Sequence, residues 1–104
     1  MKKISLLVKN EPSLTRAAMR FATATDETST AVECVFFFGK GVLHATNQSK
    51  SFWSSWARRS STRLVLCSAS AEAHGLKADD YFAVEGLGEL IEAGLSSNKV
   101  VSFG

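Results

Sequence analysis

Cysteine is scarce in this chain: two residues, Cys34 and Cys67, among 104. Two thiols make no disulfide framework, and no CxxC pair or Cys/His cluster with metal-ligand spacing surrounds them. In a reducing compartment both are expected to be free. Long apolar runs are also missing. The stretch Ile4–Val8 is interrupted by Ser5 and followed by Lys9, Asn10 and Glu11. It falls short of the roughly 7–15 apolar residues of a secretory signal, and nothing approaches the roughly 20 of a membrane span. A cytoplasmic location without a membrane partner is therefore expected. The formal net charge is only +2, so electrostatics do not point to direct nucleic-acid binding. No HExxH, GxSxG or phosphate-loop pattern is present, which removes the commonest metalloprotease, serine-hydrolase and nucleotide-hydrolase signatures.

What the chain does have is an ordinary globular balance, 45% apolar and 21% charged. Its length suits one domain over residues 1–104, with one sheet and helices packed on it. "KKISLLV" reads as a buried strand. After the break "NEPS", Leu14, Ala17, Ala18, Phe21 and Ala22 recur at helical spacing, with Ser13 as a possible cap. "AVECVFFF" is a second strand, apolar almost throughout, as in a parallel sheet covered on both faces. "GKG" closes it, and "VLHAT" starts a short helix.

In "NQSKSFWSSWARRSSTR", Phe52, Trp53 and Trp56 share one face of a helix that ends near Arg58 and Arg59. "LVLCS" is the third strand, "ASAEAHG" a short helix stopped by Gly75, "DYFAVEG" a fourth strand, "LGELIEAGL" a helix and "KVVSF" a last strand. Alternating strands and helices imply right-handed crossovers. The expected fold is a small three-layer α/β domain, its mainly parallel sheet of four to five strands flanked by helices.

In such sheets chemistry collects beyond the carboxyl ends of the strands. Cys67 falls at one such end, followed by Ser68, Ala69 and Ser70, which can open a helix. Unpaired N–H groups and the helix dipole favour a thiolate there, lowering a thiol pKa from about 8.5 towards neutrality or below. A buried cysteine packing as a small hydrophobe is the competing reading. Cys34, mid-strand among bulky apolar neighbours, fits that second description better.

His74 lies seven residues on, about 10 Å along a helix and out of reach of the thiol. His44, just after the second strand, is the candidate neighbour at the carboxyl edge. Arg58, Arg59 and Arg63 are candidates for stabilising a thiolate or attracting an acidic partner. Trp53 and Trp56 either cover the sheet or form an oligomer or partner surface. The GxG in "EGLGEL" has no third glycine, so it is a weak dinucleotide signal.

Three blocks, "VFFFGKGVLHA", "LVLCSASAEAHGL" and "EGLGELIEAGLSSNKVVSFG", together resemble the DsrE/TusD family of sulfur-relay proteins, in the same order and over almost the whole chain. The resemblance implies a cysteine that accepts a sulfane sulfur as a persulfide and passes it on. Related systems serve tRNA thiolation and intracellular sulfur oxidation.

Carried over residue by residue, that role falls on Cys67. A protein sulfur donor and acceptor are implied as partners, together with a homo- or hetero-oligomer (trimer or hexamer). No metal or organic cofactor is required. Two departures stand out: the chain is shorter than typical members, and "KNEPSLTR" lacks the glycine-rich or tyrosine-bearing loop often found there. The alternatives are a non-catalytic assembly or partner-binding subunit of the same fold and, less favoured, a small-ligand or nucleotide-binding α/β protein.

Overall fold

Apolar residues make up most of the strands' buried positions, and in the computed structural model the strands build one five-stranded parallel sheet. Residues 2–86, 88 and 99–104 are described. The strands are β1 (Lys2–Val8), β2 (Thr30–Phe37), β3 (Arg63–Cys67), β4 (Phe82–Glu85) and β5 (Lys99–Phe103). Their order across the sheet is β4-β3-β2-β1-β5, and every neighbouring pair is parallel. The helices are α1 (Arg16–Thr25), α2 (Asn47–Ser60) and α3 (Ser68–Ala73), with 3-10 turns at Pro12–Leu14 and Gly39–Ala45. The helix expected in "LGELIEAGL" lies outside the described residues apart from Gly88.

The pleat sorts the strand residues onto two faces. Ile4, Leu6, Val8, Val35, Phe37, Leu64, Leu66 and Phe82 form the main core with Ala18 and Ala22 of α1, Trp53, Trp56 and Ala57 of α2, and Ala71 of α3. All three described helices therefore pack on one face, as successive right-handed crossovers in one direction require. Cys34, Phe36 and Val65 make a second cluster on the other face, flanked by Leu7, Phe38, Cys67 and Ala83.

A register shift keeps β2 in step with this scheme. Ile4 pairs with Val32 but Ser5 pairs with Cys34, so Glu33 is an extra residue. It leaves Val32 and Val35 on the same face despite their odd spacing.

Two local expectations change. Ser13 does not cap α1: it belongs to the 3-10 turn opened by Pro12, and Thr15 is the N-cap. Proline's fixed φ suits the start of that turn and delays the helix by two residues. Trp53 and Trp56 are fully buried, so they cover the sheet and offer no surface to a partner. Trp53 meets Phe37 edge-on at 5.3 Å and Trp56 at 5.5 Å between ring centroids, distances typical of stabilising aromatic pairs.

Candidate functional site: Cys67 at the carboxyl edge

Parallel register brings the strand ends together on one edge. Val8 pairs with Phe37 and Phe37 with Leu66, so Cys67 follows directly beyond the core, opposite Glu85 of β4. Cys67 is both the last residue of β3 and the N-cap of α3, with extended backbone at φ −61° and ψ 127°. Small residues follow because the chain must turn at once from strand to helix. Its side chain is half-buried on the face of Phe38 and Ala83.

The thiol of Cys67 is held below its ordinary pKa. Partial burial alone would raise it, but the backbone N–H of Ser70, the Ser70 hydroxyl and the N–H of Ala69 together outweigh that effect. The sulfur closes no capping hydrogen bond; these donors act by stabilising negative charge on it. Ser68, beside it, is exposed. Cys34 is the opposite case: 5% exposed, its thiol is pushed up to about 11 by burial, with Glu85 and Glu33 raising it further and Arg63 lowering it. One thiol is half-buried with its pKa lowered, and the other is buried with its pKa raised.

The remaining candidates disperse. His44 is fully buried, neither a surface residue nor a group open to the site. Its Nδ1 accepts the Trp53 indole N–H at 2.9 Å, and its Nε2 contacts Thr15 Oγ1 at 2.7 Å. It anchors the Gly39–Ala45 turn beneath α2.

Arg58 and Arg59 lie in the last turn of α2, at the sheet's amino edge, opposite to Cys67; Arg59 pairs with Asp26 at 3.3 Å. Arg63 pairs with Glu85 at 2.7 Å. His74 is the exposed C-cap of α3.

Two contributors were not legible beforehand. Gly39, in "GKG", has φ +58°, a left-handed conformation that favours glycine, and its N–H donates to Ser70 Oγ at 2.8 Å. Thr15 holds His44. A glycine directly after an apolar strand was the available signal for the first; the second had none. Among the described residues no group of three or more His, Cys, Asp or Glu could hold a metal ion, and no helix is long and apolar enough to cross a membrane.

A parallel α/β sheet with a half-exposed cysteine joining the third strand to a short helix defines the class. A sequence model of the DsrE/DsrF-like family matches residues 2–103, and the chain belongs to that family. It is 30% identical to a protein named sulfurtransferase TusD homolog from Vibrio parahaemolyticus serotype O3:K6, over 85% of each chain. The crystal structure of the ychN protein from E. coli shares the fold, with a TM-score of 0.82 at 16% identity over 99% of this chain and 100% of that one.

Proposed function

We propose that the protein is a sulfur-relay subunit that carries a sulfane sulfur on Cys67. The observation that carries this reading is the contrast between the two thiols: Cys67 is half-buried and acidified, whereas Cys34 is buried and pushed up to about 11. Family membership and the sulfurtransferase name of the Vibrio relative support it.

In the accepting step the Cys67 thiolate attacks the outer sulfur of a donor persulfide. A new S–S bond forms at Cys67, the donor's S–S bond breaks, and the donor leaves as a thiolate. In the delivering step an acceptor thiolate attacks that outer sulfur and Cys67 leaves with the bonding electron pair. No net oxidation occurs in either step, so no cofactor is needed. Attack is fastest when the thiol pKa lies near ambient pH, which the donors around Cys67 favour.

Cys34 cannot resolve the persulfide. It stands opposite Arg63, four residues before Cys67 on β3, a distance of about 13 Å at roughly 3.3 Å per residue. A disulfide needs Cα atoms about 4.4–6.8 Å apart. The sulfur therefore leaves to a thiol other than Cys34 of the same chain; in this reading the donor and acceptor are protein partners in the cytoplasm. The chain works within a homo- or hetero-oligomer, in tRNA thiolation or intracellular sulfur metabolism, without direct contact to nucleic acid.

The test is intact mass after exposure to a persulfide donor. Wild type and Cys34→Ser should each gain about 32 Da, the mass of one persulfide sulfur, and Cys67→Ser should gain nothing. An unmodified wild type would leave a non-catalytic assembly subunit as the better account.

A further inference from the structure

We propose that Ser70 is a positioning residue for the Cys67 sulfur: its hydroxyl, gripped by the Gly39 N–H, directs its own proton towards the thiolate. This rests on the reading of Cys67 as the reactive thiol. Cys67 and Ser70 occupy the N-cap and third positions of α3, three residues apart and so neighbours on one side of the helix start.

A serine hydroxyl has one proton to give and two lone pairs to accept with. One lone pair is used by Gly39, whose N–H reaches Ser70 Oγ at 2.8 Å from the turn after β2. That bond fixes the oxygen on the side where the strands end. That bond does not use the Ser70 proton, which in this proposal goes to the Cys67 sulfur three residues earlier, an anionic acceptor once the thiol ionises. The acidification of Cys67, to which the Ser70 hydroxyl contributes, agrees with this arrangement.

Gly39 is itself held in place. Its turn continues to His44, locked by Thr15 and Trp53. Gly41, two residues on, packs so closely on β1 that a Cβ there would lie 2.1 Å from the Val8 carbonyl oxygen. The hydroxyl is thus oriented by a rigid backbone amide belonging to the neighbouring strand's exit loop. In the delivering step Cys67 departs as a thiolate, and a leaving thiol of lower pKa departs faster. Ser70 therefore assists release of the sulfur as well as its capture.

The experiment is the pH profile of Cys67 alkylation, followed by intact mass in a Cys34→Ser background, for the otherwise wild-type chain, Ser70→Ala and Ser70→Thr. Ser70→Ala should move the inflection to higher pH and slow alkylation at pH 7 on the order of threefold, as expected for loss of one hydrogen bond to an anion. The limiting rate at high pH, governed by access, should not fall. Ser70→Thr keeps the hydroxyl and should keep the inflection.

An unchanged inflection in Ser70→Ala overturns the assignment, as does an equal rise in both variants, whether or not Cys67 takes up sulfur. A raised inflection in Ser70→Ala alone, together with no persulfide on the otherwise wild-type chain, removes the relay reading and leaves Ser70's role intact.

Discussion

The indole N–H of Trp53 donates to His44 Nδ1 at 2.9 Å, and that bond decides the histidine's tautomer. Because Nδ1 accepts, the ring proton is on Nε2 and is donated to Thr15 Oγ1 at 2.7 Å. The threonine hydroxyl in turn donates to the carbonyls of Asn10 and Glu11, both at 2.9 Å. One buried imidazole thus joins the exit of β1, the turn after β2 and the helix α2.

His44 must be neutral to make these bonds, and burial lowers its pKa to about 4 from an ordinary value near 6.5. The unfolded chain therefore binds this proton more tightly than the folded protein does. Stability from the neutral ring is complete above about pH 6.5 and drains away as pH falls towards about 4. The loss is on the order of 3 kcal/mol at about 1.4 kcal/mol per unit. Urea unfolding at several pH values in this window should show that slope. His44→Gln should flatten it while lowering stability at pH 7. An equally steep slope in the variant would assign it to other groups.

Much of this fold could be read from periodicity. "KKISLLV", "AVECVFFF", "LVLCS" and "KVVSF" all form parallel strands, and the Phe52–Trp56 spacing is that of α2. The placement of Cys67 at the strand-to-helix junction was legible because a strand end followed by small residues is a local pattern. Arg58 and Arg59 misled because helix direction, not sequence distance, decides the sheet edge: α2 runs back to the amino edge before β3 begins. His44 was placed at the right end of its strand, but only packing shows that Trp53 and Thr15 use both its nitrogens. The Gly39–Ser70 bond joins residues 31 positions apart, and no local pattern encodes it.

Gly41 should be the least replaceable glycine among those described. Its missing side chain lets the turn press onto Val8, whose carbonyl oxygen also accepts the Phe38 N–H at 3.0 Å. A Cβ at 2.1 Å from that oxygen meets backbone, not a flexible side-chain end. Gly41→Ala must push the turn away from β1 and should cost about 3 kcal/mol or prevent folding. Gly86→Ala, where no atom lies within 4 Å of the new Cβ, should fall within about 0.5 kcal/mol of wild type. Thermal melts of the two variants side by side check this, and equal losses would contradict the close approach.

The two tryptophans should respond differently to the same substitution. Both are fully buried on the helical face of the sheet, so replacing either by phenylalanine removes similar apolar volume. Their polar ends differ. Trp53 satisfies His44, whereas the Trp56 indole nitrogen is buried with no hydrogen-bond partner among the described residues. Trp53→Phe leaves a buried acceptor unpaired, a penalty of about 1–3 kcal/mol, while Trp56→Phe removes a donor that was never satisfied. Trp53→Phe should therefore be the more destabilising by roughly that amount in urea unfolding at pH 7. Each variant keeps one tryptophan, so fluorescence follows both transitions. The reverse order would mean that cavity relaxation around α2 outweighs the hydrogen bond, and that His44 is held chiefly by Thr15.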